Sequence, residues 1–131
     1  MIQYDAKGMI MGEVKNYQDL IVWQKAMDVV VEVYRLTKKF PQGEFYGLTN
    51  QIRRAAISIP SNIAEGHTRN SRAEYLNFLS IAQGSRAEVE TQMPISVRLG
   101  YLTSEETLPT LSLLNEINRI IGTIRQKLNS P

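Results

Sequence analysis

Apolar residues recur at helical spacing along four segments of the chain, and short stretches rich in glycine, proline and polar residues separate them. The pattern predicts helices over residues 19–40, 46–65 and 71–98, and a fourth from residue 103 towards the C-terminus. Helices of about 20 to 28 residues joined by short loops favour antiparallel neighbours. We therefore predict an all-α fold, an antiparallel up-down-up-down four-helix bundle.

Start and stop signals agree with these helices. Asn16 can cap the first helix, and Gly66 is a natural residue at the C-terminal end of the second. The segments Ser71–Glu74 and Thr103–Glu106 both fit a capping box, in which the hydroxyl and the carboxylate bond the first free amides of a helix.

Three prolines fall inside the predicted helices. Pro60 and Pro94 each remove a backbone donor, so we predict that helices two and three are kinked. Pro109 lies too deep for a regular first turn of the fourth helix. Two alternatives stay open there: a kink, or a restart of the helix with Thr107 as its cap.

The first helix carries more apolar surface than an outer helix of a small bundle usually needs. Its two stripes together cover about 200° of the helix, where about 100° normally suffices. One stripe is Leu20, Trp23, Met27, Val30 and Tyr34. The other is Val22, Ala26, Val29, Val33, Leu36 and Phe40. Either the helix is deeply buried, or the second stripe is shared between copies in a homo-oligomer. The candidate interface residues are Val22, Val29, Val33 and Leu36.

Residues 1–15 have weak periodicity, and we predict a flexible N-terminal arm followed by a bundle domain over residues 16–131. No segment approaches the roughly 18 consecutive apolar residues that span a bilayer, and the N-terminus lacks the pattern of a signal peptide. The absence of cysteine fits a reducing compartment. We therefore expect a cytoplasmic protein with no membrane partner.

The residue inventory favours a protein that is not an enzyme. His67 is the single histidine, so the paired Glu-x-x-His motifs of a di-iron bundle cannot form. We interpret it as a solvated turn residue. The sequence contains no Gly-rich phosphate loop and no recognisable pairing of a nucleophile with a base. We predict no catalytic residue, no metal and no cofactor.

Arginines are frequent in the middle of the chain, whose formal net charge of +2 permits a nucleic-acid partner without requiring one. The candidate nucleic-acid-binding residues are Arg53, Arg54, Arg69, Arg72 and Arg86. They can form a phosphate-contacting patch, because a guanidinium group bonds phosphate through a planar fork. Alternatively they are solvated or pair with Glu65, Glu88 and Glu90. No phenylalanine, tyrosine or tryptophan lies between Arg53 and Arg72 in the sequence, so stacking on single-stranded bases is not indicated.

A family resemblance rests on three stretches, DLIVWQKA, FYGLTNQIRRAAISIPSNIAEGHTRNSRAEYLNFLSIAQGSRAEVETQ and LGYLTSEE. With these the chain resembles the four-helix bundle family whose founding members are encoded in intervening sequences of bacterial 23S ribosomal RNA genes. It is also similar to the accessory variability proteins of diversity-generating retroelements. The resemblance covers about residues 17–128.

The resemblance implies a bundle that assembles as a ring, commonly a pentamer, and binds nucleic acid through basic surface. For the retroelement relatives it also implies a reverse-transcriptase partner. Carried onto this chain, the candidate contacts are Arg53 and Arg54, with Arg69 and Arg72. Our main hypothesis is a non-enzymatic homo-oligomer that binds RNA or DNA. The alternative is a protein-interaction scaffold or adaptor without nucleic-acid binding.

Overall fold

The computed structural model describes residues 2–4 and 10–129 of the chain. Its main helices are α1 (Ile21–Thr37), α2 (Leu48–Thr68), α3 (Arg72–Arg98) and α4 (Ser104–Asn129). The shorter elements are strands β1 (Ile2–Tyr4) and β2 (Ile10–Glu13) and the 3-10 turns Tyr17–Asp19 and Gln42–Glu44. The predicted all-α four-helix bundle is confirmed, with one short pair of strands added. Within the described part, no helix has the length and apolar character needed to cross a membrane.

The helices pack in a closed cycle, since each contacts its neighbour in the chain and α1 also contacts α4. Along the α2–α3 pair, Gly66 lies against Phe78, and the hydroxyl of Ser85 donates to that of Ser58 at 2.7 Å. These contacts occur in opposite chain order along the two helices, as expected of antiparallel neighbours.

The capping box of α4 forms in full, whereas that of α3 forms in part, because the Glu74 carboxylate accepts from the Ser71 hydroxyl and not from the Ser71 amide. The amide of Glu74 donates to the Ser71 hydroxyl at 3.0 Å, so the start of α3 has the expected cap. At the start of α4 the exchange is reciprocal. The Glu106 amide donates to the Thr103 hydroxyl at 3.2 Å, and the Thr103 amide donates to the Glu106 carboxylate at 2.9 Å. These local signals are readable from sequence because each motif is complete within four residues.

The start of α1 differs from the prediction. Asn16 caps the preceding 3-10 turn by accepting from the Gln18 amide at 2.9 Å, so it is not the cap of α1. The first amide of α1, that of Ile21, donates instead to the side-chain oxygen of Gln3 at 2.5 Å.

The two short strands occupy part of the segment that we expected to be a loose arm. β1 and β2 pair antiparallel, and Val14 directly after them is buried in the core. The described part of the arm therefore packs onto the bundle, and positions 1 and 5–9 lie outside the described residues. Strands of three and four residues are too short for an alternating pattern to be visible in sequence.

The prolines lie inside continuous helices. In α4 the helix runs through Pro109 from Ser104, and Thr107 is helical, its hydroxyl donating to the Ser104 carbonyl at 2.7 Å. The alternative of a restart at Thr107 is therefore wrong. The kinks at Pro60 and Pro94 stay predictions.

The second of the two apolar stripes of α1 is the one that packs into the core. The fully buried members of this stripe are Val22, Ala26, Val29, Val33 and Leu36. They belong to one hydrophobic cluster with large buried side chains of the other helices, including Ile52, Ile59, Leu79, Ile117 and Ile121. The predicted oligomer interface of Val22, Val29, Val33 and Leu36 is therefore wrong, because their own bundle already covers these side chains.

The surplus apolar surface of α1 lies on the other side of the helix. Val31 is 66% exposed, Met27 is 40% exposed and Tyr34 is 36% exposed. Periodicity showed that α1 has apolar surface to spare. It could not show which side meets α2 and α4, because both stripes have helical spacing.

Gly66 does not end α2, which continues to Thr68. It is buried against α3, and a Cβ atom at this position would lie 2.6 Å from Phe78 Cβ and 3.1 Å from Tyr75 Cδ1. The glycine is therefore needed for the close approach of two helices, and its reading as a helix stop is wrong.

Candidate nucleic-acid interface

The structure does not bring the five candidate arginines together into one patch. Arg53 and Arg54 lie near the start of α2, whereas Arg69 and Arg72 lie at the turn into α3. The helix between Arg54 and Arg69 is about 22 Å long at 1.5 Å per residue. Arg86 lies in the middle of α3.

Two of the five arginines have acidic partners four residues away in the chain. Arg69 pairs with Glu65 at 2.7 Å, and its guanidinium lies 5.0 Å from the centre of the Phe78 ring. Arg86 pairs with Glu90 at 2.5 Å. For these two the alternative reading, pairing with neighbouring glutamates, is confirmed.

Arg53 is held in place by a hydroxyl group and an aromatic ring, and neither of these neutralises its positive charge. Its Nε–H donates to the Thr37 hydroxyl at 2.8 Å, and its guanidinium carbon lies 4.5 Å from the centre of the Tyr34 ring. The Thr37 hydroxyl in turn donates to the Val33 carbonyl at 2.7 Å. No described acidic residue forms an ion pair with Arg53. The positive charge is therefore fixed in position and still available to an anion.

Arg54 is exposed and forms no ion pair within the described part of the chain. It lines a hollow of about 390 Å³ together with Arg53 and three aromatic rings, those of Tyr34, Phe45 and Tyr46. We call this space the aromatic hollow.

A second space, of about 400 Å³, lies on the α2–α3 side of Arg54. Its wall contains Ser58 and Ser85, whose hydroxyls bond each other, and Glu88. We call it the polar hollow. A carboxylate here makes the polar hollow less attractive to an anion than the aromatic hollow.

The segment before α2 that carries two of the three rings is tied down. The Glu44 carboxylate accepts from the Tyr101 hydroxyl at 2.7 Å, and the Gly47 amide donates to the Glu44 carbonyl at 2.9 Å. The hydrogen bond to Glu44, together with partial burial, raises the pKa of Tyr101. The Phe45 and Tyr46 rings meet edge to face, with centres 4.9 Å apart and planes 88° apart.

The spacing of aromatic residues in the sequence did not indicate base stacking, whereas the structure places three aromatic rings around the same hollow as Arg53 and Arg54. Tyr34 is far from Arg53 in the chain, and only the packing of α1 against α2 brings it beside the guanidinium. Phe45 and Tyr46 gave a weak local signal, as two adjacent aromatics in a polar junction directly before α2.

His67 is not a solvated turn residue. It lies in α2, half-buried, with its ring edge-on to Tyr75 at a centre distance of 5.8 Å. Its Nε2 atom and the Tyr75 hydroxyl are buried with no hydrogen-bond partner among the described residues. Burial lowers the pKa of His67 and raises the pKa of Tyr75. Over residues 2–4 and 10–129 no group of three or more histidine or acidic side chains could hold a metal ion.

The fold and this surface define a small all-α bundle protein with an exposed cluster of arginine and aromatic side chains. Residues 18–123 match the family of the 23S rRNA-intervening sequence proteins, so the chain belongs to that family. This confirms the first of the two resemblances, and the relationship to accessory variability proteins stays a prediction.

One similar solved structure is a crystal structure, at 1.70 Å resolution, of a protein of unknown function from Bacteroides thetaiotaomicron, described as a member of the S23 ribosomal protein family. The two chains are 28% identical with a TM-score of 0.75, and the match covers 81% of this chain and 99% of the other. None of the curated proteins compared with this sequence matches it significantly.

Proposed function

We propose that this protein is a non-enzymatic bundle that binds RNA or DNA through basic surface centred on Arg53 and Arg54. The observation that carries the proposal is the pair of adjacent guanidinium groups with no acidic partner among the described residues. Arginine binds phosphate through charge-assisted hydrogen bonds, and a guanidinium already held in place loses less freedom on binding.

Fluorescence anisotropy with a labelled stem-loop RNA and a labelled DNA duplex tests the proposal. Neutralising two phosphates releases counterions, so affinity should fall about tenfold between roughly 50 and 200 mM salt. No binding at the lower salt concentration, or an affinity that does not depend on salt, would contradict the proposal.

Arg54→Gln should weaken binding and reduce the slope of log affinity against log salt by about one. Arg72→Gln is the matched control, because it removes the same charge from another exposed arginine, one that lies beyond the far end of α2. Equal losses for both variants would show that net charge alone drives binding and that Arg54 marks no site.

Self-association is a separate proposal, supported by the exposed stripe Met27, Val31 and Tyr34 on α1. The stripe is apolar and partly exposed, and such surface often marks protein–protein contacts. It supports both a homo-oligomer and the alternative function of a protein-interaction scaffold. Light scattering distinguishes them, because a ring of five copies would have five times the chain mass of 14.9 kDa.

If copies associate through this stripe, Val31→Asp should lower the mass in solution while leaving helicity intact, since Val31 is outside the core. A partner protein that co-purifies after nuclease treatment would instead favour the scaffold. A reverse-transcriptase partner stays a prediction from the retroelement resemblance, and co-expression with such an enzyme followed by co-purification tests it.

A further inference from the structure

The aromatic hollow exposes two rings that the rest of the bundle leaves uncovered. Tyr46 is 89% exposed and Phe45 is 54% exposed. Their edge-to-face contact can cover only one face of one ring, and the exposures show that much of both rings is open to solvent. Two neighbouring aromatics at these exposures are unusual on a small protein, and exposed apolar clusters commonly mark binding surfaces.

The surroundings of these rings are polar and positively charged. Arg53 and Arg54 supply two cationic groups, and Asn50 presents an amide that bonds no other described residue. An amide offers both a donor and an acceptor, as the edge of a nucleobase does. The one carboxylate of this segment, that of Glu44, already accepts from Tyr101. The hollow therefore combines a stacking surface, a hydrogen-bonding group and a charge that complements phosphate.

The size of the space also restricts the occupant. At about 390 Å³ it falls in the range of about 300–1,000 Å³ that is typical of pockets for one small ligand. A base inside a duplex has both faces covered by its neighbours and cannot stack on a protein ring, whereas an unpaired base can.

We infer that the aromatic hollow binds an unpaired nucleobase of a single-stranded nucleic acid, stacked on Phe45 or Tyr46, with an adjacent phosphate at Arg54. This inference rests on the proposed function and makes it more specific. In this inference the aromatic residues give the preference for single strands over duplexes, and the arginines give affinity for phosphate.

Anisotropy titrations with a labelled single-stranded oligoadenylate and a labelled duplex of equal length, at one salt concentration, test the inference. The unmodified protein should prefer the single strand. Tyr46→Leu keeps an apolar side chain but removes the ring, and it should weaken single-strand binding about tenfold while duplex affinity changes by less than about twofold. Phe45→Leu should act in the same direction. Tyr46→Phe keeps the ring and should bind the single strand within about twofold of the unmodified protein.

Three results would overturn the inference. If the unmodified protein binds both probes with equal affinity, and Tyr46→Leu changes neither affinity, then phosphate contacts alone account for binding. A fall in solution mass on Tyr46→Leu, measured by light scattering, would show that the hollow is sealed between copies of the chain. Failure of the unmodified protein to bind either probe at low salt would remove the proposed function itself, and with it this inference.

Discussion

The two ends of α2 use the same kinds of side chain in opposite ways. Near its C-terminus, Arg69 lies over Phe78 and pairs with Glu65, while the His67 ring packs edge-on against the buried ring of Tyr75. This end is closed.

At the N-terminal end, Arg53 lies over Tyr34, and Phe45 and Tyr46 again meet edge to face. Here the rings are exposed, and no described acidic residue neutralises the arginine. This end is open. An arginine beside an aromatic ring is therefore not by itself a sign of a binding site in this protein. The difference lies in whether the charge and the ring faces already have partners.

Filling the closed end should have the largest effect. Gly66→Ala places a Cβ atom 2.6 Å from Phe78 Cβ, a distance at which the backbone or the neighbouring side chain has to shift. We expect a loss of about 2 kcal/mol in the free energy of unfolding, because inserting a methyl group into a well-packed interface typically costs 1–3 kcal/mol. Thermal unfolding should show a midpoint lower by about 8 °C.

Gly84→Ala is the matched control for that prediction. Gly84 lies in the interior of α3, and an added Cβ there would meet nothing within 4 Å. Alanine is the better helix former, so this change should stabilise the protein by about 0.5–1 kcal/mol. A loss of stability similar to that of Gly66→Ala would show that the α2–α3 contact is not the cause.

The second prediction removes a polar atom from the closed end. The Tyr75 hydroxyl is buried with no partner among the described residues, and an unpaired buried hydroxyl costs free energy. Tyr75→Phe should therefore stabilise the protein by about 1 kcal/mol in urea unfolding. Destabilisation of similar size would show that the hydroxyl has a partner, such as a bound water.

The third prediction concerns pH and is smaller. Burial lowers the pKa of His67, so the folded protein resists protonation at a pH where the unfolded chain, with a pKa of about 6.5, takes up the proton. The unfolded state then binds more protons, so stability is complete above about pH 6.5 and falls as the pH drops towards the folded-state value.

Urea unfolding at about pH 7.5 and about pH 5.5 measures this effect. His67→Phe removes the titrating group and should flatten the difference. Glu106 does not interfere, because hydrogen bonds from Lys39 and Thr103 lower its pKa from 4.5 to about 2, so its contribution to stability changes below the tested pH range. An unchanged pH dependence in His67→Phe would show that other groups are responsible.

The smallest effect on stability should come from the open end. Tyr46→Ala removes a side chain that is almost fully exposed, so the free energy of unfolding should change by no more than about 0.5 kcal/mol. A larger loss would mean that the ring has packing partners in solution, and the contrast between the two ends would fail.

Local signals predicted much of the fold. The helix count and the two capping boxes, Ser71–Glu74 and Thr103–Glu106, could be read from sequence because each depends on residues within a few positions. Gly66 was misread for the opposite reason. A glycine near a helix end fits a stop signal, and only the position of Phe78 on α3 shows that it is a packing residue.

The candidate site was predicted only in part. Arg53 and Arg54 were named from composition and spacing, but the structure separates them from Arg69 and Arg72 and gives them aromatic neighbours. Tyr34 reaches Arg53 through the packing of two helices, which no local pattern encodes. The core-facing side of α1 was misassigned in the same way, because it depends on where α2 and α4 lie.

The bond from the Ile21 amide to the Gln3 side chain links the first strand to the first helix. The family match begins at residue 18, so a protein trimmed to the matched region would lose this bond and the buried side chain of Val14. The Ile21 amide would then have to bond water, and water would reach the part of the core that the Val14 side chain now fills. In this chain the segment before α1 therefore helps to hold the start of that helix in place. The stability of a shortened protein should be compared with that of the full-length chain before any loss is attributed to the bundle itself.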